Sequence, residues 1–318
     1  MPDDACSAPS PAAASEAAVP AGRAALVLVS TPIGNLGDIS ARALQALRDA
    51  DLILCEDTRV TARLLAAHGI AGRTAPLHEH NEPARIPAVL DMLRAGRRIA
   101  LVSDAGTPLL SDPGFPLVRA AIAAGFEPLA VPGPNAAVMA LTLSGLPPLP
   151  FLVLGFPPPR PAARRAAFGR LRAAEQAGLS ATLIWHEAPH RLAETLADLA
   201  ALFGERPAAV ARELTKQFEE VRRGSLPALA AHYAAQAARG EIIVLVGPGD
   251  AEAGVADLDA AIRQARAGHS LRDAAALVAA ATGLPRRAVY ARALALEAAP
   301  EGTGPDPPKR GDPGAVPA

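Results

Sequence analysis

Lys216 is one of only two lysines among the 31 basic residues of the chain, and the other is Lys309. In a sequence so biased towards arginine, a lysine inside an ordered region indicates a role that arginine cannot fill. A desolvated lysine can lose its proton and act as a base, whereas arginine stays charged. Lys216 closes the segment Arg212-Glu213-Leu214-Thr215-Lys216, so we predict proton transfer by Lys216 with help from Glu213. Binding of a phosphate by Lys216 fits the same residues.

Five short polar loops, rich in glycine and proline, follow predicted strands in the first half of the chain. They are Ser30–Asp38, Glu56–Arg59, His78–Asn81, Ser103–Gly114 and Pro132–Ala137. Open α/β sheets bind ligands at the carboxyl ends of their strands. Ordinary turn chemistry would explain any one loop, but five on one edge favour a ligand site, chiefly at Ser103–Gly114.

Several common sites are excluded by their missing fingerprints. The first strand is followed by no G-x-G-x-x-G, and no G-x-x-x-x-G-K-[ST] occurs, which disfavours a standard dinucleotide site or P-loop. His186-Glu187-Ala188-Pro189-His190 matches a zinc motif by letters, but that motif needs both histidines on one helix. Here a strand-like run precedes it and Pro189 is expected at the first turn of the next helix. With only Cys6 and Cys55 as cysteines, we expect neither a disulfide framework nor a metal site.

Apolar runs alternate with helical patterns over residues 24–148, which we take as a first domain. The predicted strands are Leu26–Val29, Leu52–Leu54, Ile99–Val102 and Leu129–Val131, and the predicted helices are Ile39–Ala50, Thr58–His68, Pro83–Ala95, Phe115–Ala124 and Asn135–Ser144. Strands that are apolar on both faces and joined by helices are typical of a parallel sheet covered on both sides.

A linker at Pro147–Pro150 precedes a second predicted α/β domain over residues 151–250. Its strands are Phe151–Leu154, Thr182–Trp185, Ala208–Ala211, Glu220–Arg223 and Ile242–Val246, with a basic helix, a helix over Pro189–Phe203 and another near Pro227–Ala238. The third and fourth of these strands lie too close for a helix between them, which predicts a hairpin and a mixed sheet.

Residues 254–298 are predicted to form a small helical appendage with helices over Leu258–Ala267, Leu271–Ala281 and Arg286–Leu296. Ser270 is expected as an N-cap and Pro285 at the first helical position. The pattern fits a helix-turn-helix, and a plain helical hairpin fits it as well. Residues 1–23 and 299–318 lack periodicity and are expected to be disordered tails.

The net charge of −1 predicts no polyanion partner by itself, but arginines cluster locally. Five lie between Arg160 and Arg172, and six between Ala260 and Leu294. Such clusters bind phosphates or are solvated helix faces. The N-terminus carries no secretory pattern and no apolar run is long enough to span a bilayer, so we expect a cytoplasmic protein with no membrane partner.

Together these motifs resemble the tetrapyrrole-methylase superfamily, and more narrowly its ribosomal RNA branch. The resemblance covers residues 24–298 and is carried by Ser30–Asp38, Cys55–Arg59, Leu101–Gly114, Val131–Ser144, Phe151–Pro158, His186–Leu192, Ala211–Leu226 and Glu241–Gly249. It implies two α/β domains of the tetrapyrrole-methylase type with the active site in the cleft between them, plus the helical appendage. It also implies S-adenosyl-L-methionine as cofactor, a homodimer, and 2′-O-methylation of a C1402-type cytidine of 16S rRNA in the small ribosomal subunit.

The resemblance also implies which residues contact the cofactor. They are Asp104, Gly106, Thr107, Leu110, Asn135, Ala136, Glu187, Thr215 and Glu241. We expect the residues that border the same cleft to position the substrate nucleotide, although structural salt bridges explain them as well; they are Asn35, Glu56, Asp57 and Arg59. Arg164 and Arg165, in the first arginine cluster, are expected to contact rRNA phosphates. Thr107 stands where many relatives carry aspartate, which removes a carboxylate from that position, although Asp104 is nearby. With a ribose hydroxyl as acceptor, Lys216 and Glu213 become the groups expected to activate or orient it.

Two other functions fit parts of the sequence. A methylase of a corrin or porphyrin intermediate would have the same fold, but it would leave the basic helices without a role. A non-enzymatic nucleic-acid-binding regulator would use the helix-turn-helix and leave the five loops unexplained.

Overall fold

The computed structural model describes residues 24–249, 251–282 and 284–298. The expected tails, Cys6, Lys309 and Gly283 of the expected turn lie outside these residues. The chain divides into two compact units, one of residues 24–164 with 182–247 and one of residues 165–181 with 248–298. None of the helices in the described ranges is long and apolar enough to cross a membrane.

The first sheet is parallel throughout, as predicted, with the strand order β3-β2-β4-β1-β5. Its strands are β1 (Ala25–Val29), β2 (Leu52–Cys55), β3 (Thr74–Pro76), β4 (Arg98–Val102) and β5 (Leu129–Val131). Helices α1 (Ala41–Arg48) and α2 (Thr58–Ala67) cover one face, and α3 (Glu82–Arg94) and α4 (Phe115–Ala123) cover the other. All five loops predicted to carry a site therefore leave the same edge of this sheet.

Helix α5 (Ala136–Ser144) follows β5 but packs against the second sheet. Ala137, Ala140 and Leu141 are buried against apolar residues of that sheet. The side chain of Arg223 donates hydrogen bonds to the carbonyls of Leu143 and Ser144 at the end of the helix, where a cation is favourable. Helix α5 therefore covers the second sheet, although it follows the last strand of the first sheet in the chain.

The second sheet is mixed, as predicted, with the order β6-β7-β10-β8-β9. Its elements are β6 (Phe151–Val153), α6 (Pro161–Gln176), β7 (Thr182–Glu187), α7 (Leu192–Phe203), β8 (Pro207–Arg212), β9 (Glu220–Ser225), α8 (Leu226–Ala235) and β10 (Ile242–Val246). Strands β6 and β7 are parallel, and the predicted β8–β9 hairpin is confirmed. Helix α7 begins later than predicted, because Arg191 donates its N–H to the carbonyl of Ala188 in a turn that contains Pro189 and His190.

The second unit contains helices α9 (Ala251–Arg266), α10 (Leu271–Thr282) and α11 (Arg286–Ala298). They share a small core of Ile262, Ala275, Val278, Val289 and Ala293. The hydroxyl of Ser270 accepts a hydrogen bond from the N–H of Asp273, so Ser270 caps α10 as predicted. Pro285 lies one residue before α11, and its carbonyl accepts the first helical hydrogen bonds.

The loop from Ser103 to Gly114 is anchored at its end by a buried carboxylate from another helix. Glu82, at the start of α3, is 2 % exposed and accepts hydrogen bonds from the N–H groups of Gly114 (3.2 Å) and Leu117 (2.9 Å). These groups belong to the first turn of α4, where an anion satisfies unpaired donors and the helix dipole. Glu82 therefore caps a helix that is not its own.

Replacing Glu82 with alanine should lower the free energy of unfolding by about 2–4 kcal/mol, because two buried N–H groups lose their acceptor. Urea denaturation followed by circular dichroism measures the change. Glu127→Ala, at an exposed position, is the matched control and should change little. Equal stabilities of the two variants would contradict the capping role.

Candidate active site

A first cavity of about 290 Å³ lies between the loops that follow β4 and β5 and the ends of β7 and β10. Eight of the nine residues predicted to contact a cofactor line it: Asp104, Gly106, Thr107, Leu110, Asn135, Ala136, Glu187 and Glu241. The ninth, Thr215, does not. The fold thus brings together, from both sheets, residues that are far apart in the sequence.

The second sheet and its loops supply walls that the sequence reasoning missed. Val153, Phe156 and His186 line the first cavity, and the rings of Phe156 and His186 lie 5.5 Å apart. Burial lowers the pKa of His186, so its imidazole is neutral at physiological pH. Phe156 and His186 lie in segments that carry the family resemblance, but their roles in the cavity wall were not predicted. His186 lies in β7 and His190 in the turn before α7, so the two histidines do not share a helix.

Non-glycine residues with left-handed backbone angles lie in two loops around the site. Among the described residues these are Leu109 (φ 73°), Ser111 (φ 71°), Glu213 (φ 51°) and Thr215 (φ 66°). This conformation is costly for such residues and persists only where the surroundings impose it. A short antiparallel bridge between Thr31 and Gly106 and a hydrogen bond from Thr107 to the carbonyl of Pro134 hold the first of these loops.

Glu187 lines the first cavity but its carboxylate is engaged with the protein. The side chain is fully buried, accepts hydrogen bonds from Thr195 and from the N–H of Ala188, and lies 3.3 Å from the guanidinium of Arg191. A ligand in the first cavity could therefore contact Glu187 only through its backbone atoms.

A second cavity of about 330 Å³ adjoins the first. The two share Ile33, Asp104, Ala105 and Glu241. The second is lined further by the loop after β1, by one side of α2 and by Lys216. The two cavities therefore form adjacent compartments of one site.

Lys216 is held in the second cavity by two carboxylates. Its Nζ donates to Glu213 at 2.9 Å and lies 3.4 Å from the carboxylate of Glu241. The same oxygen of Glu213 accepts the N–H of Glu241 at 3.0 Å. A Cβ on Gly240 would lie 2.2 Å from that oxygen, so the carboxylate has its place only because residue 240 is glycine.

Gly34 makes room for Lys216 in the same way. A Cβ on Gly34 would lie 2.5 Å from Cγ and 2.8 Å from Cε of Lys216. It would also lie 3.0 Å from Oγ1 of Thr215, a buried oxygen without a hydrogen-bond partner. The loop after β1 and the loop after β8 therefore fit together only with glycine at this position.

The ion pairs determine the charge of Lys216. Burial works to lower its pKa, but the hydrogen bond to Glu213 and the charges of Glu241 and Glu213 outweigh it, and the pKa is raised. The hydrogen bond from Lys216 holds the pKa of Glu213 below its ordinary value. Lys216 is therefore an ammonium in this structure, whereas the predicted role as a base would need its pKa to fall.

Three carboxyl groups crowd the first-sheet side of the site. Burial, followed by the charges of Glu56 and Asp104, raises the pKa of Asp112 to about 6. Burial also raises the pKa of Asp104 and of Glu56, with repulsion between carboxylates adding to the effect. Asp104 and Asp112 both line the first cavity, so they present negative charge to a ligand there.

None of the six residues predicted to contact substrate lines either of the two cavities. Asn35 caps a short helical turn at Leu36–Asp38, and Asp57 caps α2. The guanidinium of Arg59 is bonded to Asp57, which lowers the pKa of Asp57 to about 2. The predicted contacts of Asn35, Glu56, Asp57 and Arg59 with a nucleotide stay predictions.

The predicted phosphate contact of Arg164 is wrong. Its side chain is 2 % exposed, and its guanidinium donates to Asp198 at 2.7 Å and lies 3.4 Å from Glu194. A buried and neutralised guanidinium cannot reach a phosphate in solvent. Arg165, the next residue of α6, is exposed.

No group of three or more His, Cys, Asp or Glu side chains in the described ranges is arranged to hold a metal ion.

Two family models match the chain. Residues 25–230 match the Tetrapyrrole (Corrin/Porphyrin) Methylases, and residues 252–297 match the RsmI C-terminal HTH domain. Among solved structures, a cobalt precorrin-4 methyltransferase is 18 % identical with a TM-score of 0.52 and covers 70 % of this chain and 93 % of its own. The methyltransferase CobJ is 22 % identical with a TM-score of 0.52 and covers 70 % and 94 %. The chain belongs to the tetrapyrrole methylase family.

Its curated relatives narrow the assignment within that family. A protein of Mesorhizobium japonicum is 49 % identical over 86 % of this chain and 92 % of its own, and one of Pseudomonas aeruginosa is 45 % identical over 85 % and 96 %. One of Xylella fastidiosa is 47 % identical over 83 % and 97 %. All three are named ribosomal RNA small subunit methyltransferase I, and this chain falls in their branch.

The raised pKa of Asp112 gives a test of the crowded carboxyl groups. Asp112 binds its proton more tightly in the folded state, so its ionisation destabilises the fold as the pH rises from about 4 through about 6. Asp112→Asn should therefore stabilise the protein at pH 7.5 by about 1–2 kcal/mol, a value reduced for partial exposure. The gain should vanish near pH 4.

Urea denaturation at both pH values measures this effect, with Asp38→Asn at an exposed position as control. A gain that is the same at both pH values would show that charge is not its cause.

Proposed function

We propose that this protein transfers a methyl group from S-adenosyl-L-methionine to the 2′-hydroxyl of a cytidine in 16S rRNA of the small ribosomal subunit. The observation that carries the proposal is the pair of adjoining cavities, which gives a methyl donor and its acceptor separate but neighbouring places. The names of the curated relatives support the ribosomal substrate.

The first cavity fits the cofactor in charge and shape. Its volume of about 290 Å³ is near the lower end of ordinary ligand pockets. Asp104 and Asp112 offer carboxylates to the positively charged parts of the cofactor, and Phe156 and Leu110 offer apolar surface to its flat base. When bound, S-adenosylmethionine supplies a methyl group on a sulfonium. The chain's own contribution is to hold donor and acceptor in line, and alignment can lower a barrier by about 7–11 kcal/mol.

The second cavity supplies a fixed cation for the acceptor. Glu213 and Glu241 keep Lys216 charged, and Gly34 leaves space for its aliphatic side chain. An ammonium beside a ribose hydroxyl stabilises the negative charge that develops on oxygen as the hydroxyl proton passes to solvent water. The methyl group replaces that proton on the oxygen, and the demethylated cofactor, a neutral thioether, is the leaving group. In this proposal Lys216 orients and polarises the hydroxyl, and Glu213 keeps Lys216 charged and in place.

Exposed arginines outside the cavities are proposed to contact rRNA phosphates. In the second unit Arg263, Arg272, Arg286 and Arg287 are exposed, whereas Arg292 is paired with Asp259 and Arg266 with Glu297. Arg160, just before α6, and Arg165 and Arg170 on α6 are exposed as well. We further propose that the protein works as a homodimer in the cytoplasm, where its ribosomal substrate is found.

The deciding experiment incubates the protein with methyl-labelled S-adenosylmethionine and 30S subunits that lack the modification. Label is expected in 16S rRNA, at a cytidine whose 3′ linkage resists alkali, because a 2′-O-methyl group blocks attack on the phosphate. A corrin or porphyrin intermediate serves as the competing acceptor. Label on that intermediate alone, or on neither acceptor, would overturn the proposal.

Variants of Lys216 test its charge against its basicity. Lys216→Met should lower turnover by roughly 10²–10³, the usual loss when one donor to a developing oxyanion is removed. Lys216→Arg keeps the charge but cannot act as a base, so it should retain clearly more activity than Lys216→Met. Equal losses in both variants, with cofactor affinity unchanged, would favour the base over the fixed cation.

A further inference from the structure

Two arginines lie one turn apart on α2, and the structure treats them differently. Arg59 lines neither cavity, and its Nη2 lies 2.6 Å from the carboxylate of Asp57. Arg63 lines the second cavity and is exposed. Within the described ranges Arg63 has no ion-pair or hydrogen-bond partner. Arg59 was a predicted substrate contact, and Arg63 was not among the predicted residues.

Asp104 and Glu241 are the two carboxylates that line the second cavity, and neither is ion-paired with Arg63. The ammonium of Lys216 is paired with Glu213 and Glu241. The carboxylate of Asp104 accepts the N–H of Asp57 at 3.0 Å. A guanidinium without an ion-pair partner among the described residues, at the wall of a ligand-sized cavity, is suited to bind an anion with two parallel hydrogen bonds, and a phosphate matches that geometry.

Apolar side chains complete the entrance to this cavity. Leu36 and Val60 both line it and are 48 % and 38 % exposed. An exposed apolar rim beside a free guanidinium suits a nucleotide, which combines a flat, weakly polar base and sugar with a phosphate. A cavity of about 330 Å³ has room for one nucleotide turned out of a strand, but not for a base-paired helix.

We propose that Arg63 binds the phosphodiester next to the acceptor ribose, while Leu36 and Val60 flank the nucleotide that enters the second cavity. This inference rests on the proposed function and adds a substrate-binding residue to it. Arg63 acts by holding the strand, so that the acceptor hydroxyl reaches Lys216. Its loss should weaken binding of the RNA and leave binding of the methyl donor unchanged.

The test compares Arg63→Gln with Arg48→Gln in the full chain. Arg48 is an exposed arginine at the end of α1, and it lines neither cavity. With 30S subunits as substrate, Arg63→Gln should raise KM by about tenfold or more, in line with the loss of a hydrogen bond to a charged group. The affinity for S-adenosylmethionine, measured by calorimetry without RNA, should equal that of the wild type.

The salt dependence of subunit binding separates a phosphate contact from a merely structural role. Loss of one contact to a single strand lowers the slope of log affinity against log salt by about 0.7. Arg63→Gln should show this change and Arg48→Gln should not. Arg63→Lys should restore the slope but only part of the KM, because lysine keeps the charge and loses the two-pronged geometry.

Two results would overturn the inference: Arg63→Gln behaving like Arg48→Gln in KM and in salt slope, or a loss of cofactor affinity as large as the change in KM. Failure of the proposed function would look different, because the wild-type protein itself would then leave no label in 16S rRNA.

Discussion

The site depends on the packing of helix α5 against the second sheet. In the chain, α5 follows β5, the last strand of the first sheet. Ala137, Ala140 and Leu141 are buried in a core with residues of the second sheet, and Arg223 of β9 binds the carbonyls at the end of the helix. The loop that begins α5, at Asn135 and Ala136, is also a wall of the first cavity. The same helix therefore joins the two sheets and sets the distance across the site.

The loops around the site are held in conformations that they would not adopt alone. Left-handed Leu109 and Ser111 lie between the Thr31–Gly106 bridge and the Glu82 carboxylate, which fix the loop on either side. Left-handed Glu213 and Thr215 lie where Gly34 and Gly240 leave space for the side chains of Lys216 and Glu213. In both loops the strain is local, and the groups that impose it come from distant parts of the chain. Such an arrangement keeps the site preorganised without a ligand.

Much of this could be predicted from the sequence, because the signals are local. The alternation of apolar runs with helical patterns predicted the parallel sheet. The short connection between β8 and β9 predicted the hairpin and, with it, the mixed second sheet. The family resemblance gave eight of the residues that line the first cavity. Hydrophobic pattern alone could not show that α5 covers the other sheet, since its apolar residues are compatible with either partner.

Other features could not be predicted because they depend on contacts between residues that are distant in the sequence. Arg164 and Arg59 were predicted to contact substrate and both are paired, whereas Arg63 was not predicted and has no ion-pair partner in the part of the chain that the structure describes. Glu82 gave no signal because the helix it caps begins more than thirty residues later. His186 and Phe156 come together only when the strands that carry them are placed side by side.

The scarcity of lysine gives the site a built-in reporter. With Lys216 and Lys309 as the only lysines, protein grown with isotope-labelled lysine would show just two side-chain signals in a magnetic resonance spectrum. One of them comes from the ammonium held by Glu213 and Glu241. The protonation of the central cation, and its response to each bound molecule, can therefore be followed directly in the intact enzyme.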